Sequence, residues 1–363
     1  MLTVGIITKI GKNYGAILQA FALRKALEKM GADAHIIKYT PKISRDSYRV
    51  CKHKWRVRGT IANLKSLFHY KENKSSTKKF LQFREEEFHF MGNYRDYSDL
   101  EKNPPICDIY VSGSDQVWNP TISFDKAFYY SFIENQSSKI TSYAASVGLN
   151  ALPDRFKEEF CKRVRRFDYI SVREEQARRI LEGYGIEADV APDPTFLLER
   201  SDWNSIAIET IQAPYILCYF VSYPREIDKI IQEIKEKMGP EYLVVNLMTS
   251  EESACIGDIK IRDAGPKEFL GLFKNASFVV TSSFHGTAFS LINRKPFVTV
   301  PYQSTKSRVE ELLKNVSLEH RVIKKDDYDL DALLNEDLFD EDFENRLLLL
   351  RNVGYEVLEK VLK

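Results

Sequence analysis

Short apolar, β-branched runs alternate with amphipathic stretches along most of the chain, and that alternation predicts strands and helices in turn. Residues 4–8 read as a buried strand. Residues 16–30 read as a helix with Ile17, Phe21, Leu23 and Leu27 on its apolar side, closed by Gly31. Residues 34–39 give the next strand. The rhythm resumes at 109–111, 140–145, 169–172 and 188–190. It continues through strands at 215–221 and 242–247, with helices at 225–238 and 267–275. The clearest unit is 278–300: a strand at 278–281, a helix capped by Ser282 or Ser283, and a strand at 297–300 after Lys295-Pro296. Ala288, Phe289, Leu291 and Ile292 form the apolar side of that helix, and Gly286 permits a close approach at its start. The expected fold is α/β with parallel sheets.

Polar groups recur where these strands end. Residues 109–111 lead into Ser112-Gly-Ser-Asp-Gln-Val-Trp-Asn-Pro120, 140–145 into Ser146-Val-Gly148, and 169–172 into Arg173-Glu174. Residues 188–190 lead into Ala191-Pro-Asp-Pro-Thr195. One such loop is ordinary turn chemistry; several in series suggest a shared crevice at the carboxyl ends of the strands. His285 falls at the carboxyl end of strand 278–281 and the start of a helix, a place suited to an anion.

The pattern restarts near Ser201, so two domains are expected, 1–195 and 196–340. A final helix at 341–363 is expected to pack back on the first domain. A basic stretch at 41–90 interrupts the rhythm, with 13 Lys/Arg against 5 Asp/Glu. It reads as an insertion, helical near 77–90, with Phe80, Phe83 and Phe88 inward. Its Tyr48, Trp55 and Tyr70 among cations fit either a cover for the core or contact with an anionic membrane surface.

Composition changes this picture little. A formal net charge of +1 gives no global attraction to nucleic acid. The five cysteines are widely spaced and form no CxxC pair, so no metal site is expected. The first turn lacks GxGxxG, so no nicotinamide cofactor is expected, and no GxSxG elbow marks a hydrolase triad. With a strand opening the chain and no apolar run near ~18–20 residues, a cytoplasmic protein is expected.

Taken together and in order, Gly113-Ser-Asp-Gln-Val-Trp-Asn119, Ser142-Tyr-Ala-Ala-Ser146, Ser171-Val-Arg-Glu174, Pro192-Asp-Pro-Thr195 and Ser283-Phe-His-Gly286 resemble the polysaccharide pyruvyl transferase family. The resemblance implies two Rossmann-like domains facing a cleft (GT-B-like), with acceptor side first and donor side second. It implies transfer of pyruvate from phosphoenolpyruvate to a sugar of a surface or capsular polysaccharide precursor, often lipid-linked at the inner membrane face, as a cyclic ketal. That chemistry requires no cofactor. A GT-B glycosyltransferase using a nucleotide sugar, or a non-catalytic glycan-binding relative, is the alternative.

On this reading His285 is the acid or base, and Asp115 and Asp193 are the available carboxylates. The bland alternatives are a helix cap for His285, a turn constraint for Asp115 and a rigid junction for Asp193. Donor binding falls to Arg173, Ser282, Ser283, Gly286, Thr287, Lys306 and Arg308; Arg173 could instead pair with Glu174 or Glu175. Acceptor binding falls to Asn13, Tyr14, Gly15, Ser114, Gln116, Trp118 and Asn119, with Trp118 equally suited to a core. Characterised members carry Arg-Leu-His where this chain has Ser283-Phe284-His285. The missing cation is therefore expected elsewhere, first at Arg173.

Overall fold

The computed structural model describes residues 1–49, 68–134, 137–221, 227–250, 253–300, 302, 306–323 and 328–363. Trp55 and the 50–67 part of the basic stretch, the 225 start of one expected helix, and 303–305 lie outside the described residues. The chain divides into two compact units. One comprises Met1–Arg49, Gln82–Leu198 and Leu349–Lys363; the other comprises Glu199–Leu348 with a segment ending at Leu81.

Unit 1 is built on a parallel sheet of β1 (Thr3–Ile7), β2 (Asp33–Tyr39), β3 (Phe90–Tyr94), β4 (Ile109–Ser112) and β5 (Lys139–Ser142), in the order β3-β2-β1-β4-β5. A short parallel pair, β6 (Ser171–Val172) and β7 (Asp189–Val190), meets the sheet through the bridges Thr141–Tyr169 and Ala145–Val172. Unit 2 repeats the order with β8 (Tyr215–Tyr219), β9 (Leu243–Leu247), β10 (Ile259–Ile261), β11 (Phe278–Thr281) and β12 (Phe297–Thr299), arranged β10-β9-β8-β11-β12. The central strands β4, β8 and β11 are buried along their whole length, which is why they read as continuous apolar runs rather than alternating ones. In each unit the chain winds out to one edge, then returns to build the other. The switch points fall between β1 and β4 and between β8 and β11.

Two expectations need correction. The helix within the basic stretch runs Tyr70–Glu87 and starts well before 77; its first turns consist of polar residues and carry no apolar period for the sequence to show. Its inward side is Phe80 and Phe83, with Phe88 just beyond; Phe83 packs edge-on against Phe21 and Phe88. The strand β3 that follows went unpredicted. It is a partly exposed edge strand with Gly92 at φ 65°, so it lacks both a buried run and a clean alternation. The edge strand β10, only three residues long, was missed for the same reason.

The helix Glu341–Leu362 contributes its second half to unit 1, where Arg351 donates to the Phe196 carbonyl (3.2 Å) and Tyr355 to that of Leu197 (3.1 Å). Lys360 pairs with Asp189 at 2.7 Å. Among the described residues no helix is long and apolar enough to cross a membrane.

Candidate functional site

In unit 1 the carboxyl ends of β1, β4, β5 and β6 gather most of the predicted polar residues. After β4 the chain turns through Gly113, Ser114, Asp115 and Gln116. Asp115 adopts φ 69°, a left-handed conformation uncommon outside glycine and better tolerated by Asp and Asn than by most residues. Its carbonyl accepts the Val117 amide (2.7 Å) and the Ser146 amide (3.0 Å), so the β4 and β5 loops lock together. Thr8 Oγ1 donates to the Ser114 carbonyl (2.9 Å) and itself accepts from Gln19 Nε2 (3.0 Å). Asp115 and Gln116 lie partly exposed at the tip of this turn, while their neighbours are buried.

Behind the tip lies a buried ionic cluster. Arg173 donates to Asp193 Oδ2 (2.8 Å) and to Glu174 Oε1 (3.4 Å), with only 3% of its side chain exposed. Burial acts to weaken the Arg173 charge, but Glu174, Asp193 and Asp115 outweigh it and hold the guanidinium above its ordinary range. Asp193 is fully enclosed. Its other oxygen accepts the Thr195 amide (3.0 Å) and hydroxyl (2.9 Å), and Ser114 Oγ reaches Oδ2 at 3.5 Å. Glu174 Oε1 accepts a short hydrogen bond from Ser146 Oγ.

These contacts revise several expectations. Asp193, with both oxygens engaged and no exposure, is a structural keystone and no longer a candidate base. Arg173 is spent on carboxylates of its own chain, so its side chain does not present a cation to a donor. Trp118 is fully buried, stacked on Tyr129 at 6.0 Å and met edge-on by Phe160 and Phe167, leaving no face for a sugar. Ser114 is buried as well. Asn119 is buried with its oxygen on Thr121, and its amide donates to Gln116 Oε1 (3.2 Å). Tyr14 and Gly15 are buried in the first turn of the helix Tyr14–Lys29. Asn13 is exposed, but its oxygen caps Ala16 N (3.0 Å). Of the acceptor candidates, Gln116 and Asn13 retain exposure.

The sequence reading overlooked Lys9. It follows β1, across the switch point from the Asp115 turn, and its ammonium donates to the Gln116 carbonyl at 2.6 Å. The signal was present, since a cation directly after the central strand falls where open α/β sheets place ligands.

In unit 2 the corresponding place is the β11 end and the helix Phe284–Asn293. Ser283 is the N-cap, its Oγ accepting Gly286 N at 3.3 Å. Thr281 Oγ1 donates to the Tyr219 carbonyl (2.6 Å) and accepts Ser283 N (3.1 Å). Ser282 Oγ accepts Val221 N (3.3 Å), and Thr287 Oγ1 bonds the Ser283 carbonyl (3.1 Å). The hydroxyls of Ser282, Ser283 and Thr287 are thus buried and engaged in shaping the turn, which corrects their assignment as side-chain donor contacts. His285 stands partly exposed in the first turn, edge-on to Phe284. Lys306 is exposed at the start of the helix Lys306–Asn315, 3.9 Å from Glu310, whereas Arg308 is buried.

Gly286 is where the turn is tightest. A β-carbon there would lie 2.2 Å from Thr281 Oγ1 and 3.1 Å from the Tyr219 ring. Gly286→Ala is expected to destabilise by about 1–3 kcal/mol, as overpacked sites do. Urea denaturation measures this, and an unchanged midpoint would contradict the close approach.

A profile of the polysaccharide pyruvyl transferase family matches residues 13–304. No protein of curated function matches the chain in sequence. Among solved structures, a putative UDP-N-acetylglucosamine 2-epimerase from Listeria monocytogenes is similar at 12% identity, over 98% of this chain and 94% of that one, with a TM-score of 0.52. The UDP-GlcNAc 2-epimerase from Neisseria meningitidis bound to UDP-GlcNAc is similar at 12% identity, over 100% and 99% of the two chains, with a TM-score of 0.51. At such identities the likeness concerns the fold, two Rossmann-like units of the GT-B-like class.

Proposed function

The chain belongs to the polysaccharide pyruvyl transferase family, and from that premise we propose that it moves the pyruvyl carbons of phosphoenolpyruvate onto a sugar of a surface polysaccharide precursor. The observation that carries the proposal is His285, held partly exposed in the first turn after the central strand β11, on a helix start shaped by Thr281, Ser283 and Gly286.

The chemistry assigns few roles. His285, as imidazolium, protonates the methylene carbon of phosphoenolpyruvate, and positive charge develops at the carbon bearing phosphate and carboxylate. A sugar hydroxyl adds to that carbon while a carboxylate takes its proton, and Asp115 is the remaining candidate. A second hydroxyl of the sugar then closes the ring as the carbon–oxygen bond to phosphate breaks. Inorganic phosphate leaves, and the second hydroxyl proton passes to solvent or phosphate. In place of the arginine found in characterised members, Lys306 and the polarity of the helix start at Phe284 supply positive potential for the donor anions. The acceptor is proposed to be lipid-linked and met at the inner face of a membrane.

Phosphoenolpyruvate at a hundred times its dissociation constant is expected to stabilise the protein by about 2.7 kcal/mol, raising the thermal midpoint. Nucleotide sugars run in parallel provide the contrast. Stabilisation by a nucleotide sugar alone would replace pyruvyl transfer with glycosyl transfer.

A further inference from the structure

The buried guanidinium of Arg173 sits between two carboxylates, and each carboxylate leads to the same turn. Asp193 Oδ2 joins Arg173 to Ser114 Oγ, the residue before Asp115. Glu174 Oε1 joins Arg173 to Ser146, whose amide in turn donates to the Asp115 carbonyl. We propose that Arg173 is a positioning residue: it braces the Asp115 turn from both flanks and so fixes where that carboxylate points. The proposal rests on the reading of Asp115 as acceptor base.

The turn needs bracing because Asp115 occupies a left-handed backbone conformation, which is unfavourable in a non-glycine residue and persists only where its surroundings over-determine it. Those surroundings span residues far apart in sequence. Thr8 holds the Ser114 carbonyl and Lys9 holds that of Gln116, while the Arg173 cluster holds the two flanks. A guanidinium suits this place because its planar fork presents separate N–H groups to the two carboxylates; a lysine ammonium is a single point charge on a flexible stem. With 3% of its side chain exposed, Arg173 acts through these neighbours and not on substrate.

Arg173→Lys and Glu174→Gln test this in the full-length chain. Hydrogen exchange should show protection falling roughly 10-fold or more across 113–119 and 142–148, with β1 and the unit 2 sheet unchanged. Turnover should fall about 10–100-fold at unchanged KM for phosphoenolpyruvate. Unchanged exchange in both loops would overturn the proposal. So would a raised KM for phosphoenolpyruvate at preserved turnover, which would return Arg173 to the donor. Should Arg173→Lys fail to fold, Glu174→Gln and Ser146→Ala carry the same exchange measurement. Loosened loops in a protein whose wild type transfers no pyruvate would sink the functional reading and leave the brace standing.

Discussion

His285→Ala is expected to lower the release of phosphate from phosphoenolpyruvate, measured with acceptor present, by about 10²–10⁴-fold. The side chain stands partly exposed, with an edge-on contact to Phe284. The turn beneath it is held by Thr281, Ser283 and Gly286, which the substitution leaves in place. Thermal stability should therefore move little while turnover collapses. Such a split separates a reacting group from a helix cap, because loss of a cap would lower stability by roughly 1 kcal/mol and spare the rate. His285→Gln keeps hydrogen bonding but cannot deliver a proton near neutral pH, and it should be nearly as impaired. Phosphate release that survives both substitutions would remove His285 from the chemistry.

Trp118→Ala is expected to cost about 3–5 kcal/mol of stability, as aromatic-to-alanine truncations in packed cores do. Trp118 lies parallel to Tyr129 and perpendicular to Phe160 and Phe167, and its indole N–H reaches the Phe128 carbonyl at 3.4 Å. Removing it empties the centre of an aromatic cluster that also takes in Phe124 and Phe156. Among the described residues the hydroxyl of Tyr129 has no hydrogen-bond partner, and alanine at 118 supplies none. The midpoint of urea unfolding should fall well below that of Trp118→Phe, which retains most of the packing. A Trp118→Ala protein of undiminished stability but weakened acceptor affinity would restore the sugar-stacking role.

The elements that carry the candidate residues were legible because local patterns specify them. The run Phe278-Val-Val-Thr281, a serine cap and a glycine three residues on forecast β11 and the helix start at His285. The same logic located β1, β4 and the helix Tyr14–Lys29, and the ordered motifs pointed to the family. Failures clustered where the local signal is weak. The edge strands β3 and β10 are short and half-exposed, and the first turns of Tyr70–Glu87 are polar on every side.

What the sequence by itself determined is the order of strands and helices and the chemistry available at each strand end, since hydrophobic period, caps and turn residues act over a few positions. The tertiary structure decided which of those polar residues face solvent and which face each other. Ser114 meets Asp193 79 residues away, and Lys9 meets the Gln116 carbonyl 107 residues away. An arginine read as a ligand for the donor became a brace because burial leaves a charge no stable state except beside its counter-charges. Glu174 is the neighbour in the chain that the sequence already offered, and Asp193, 20 residues on, is brought to Arg173 by the pairing of β6 with β7.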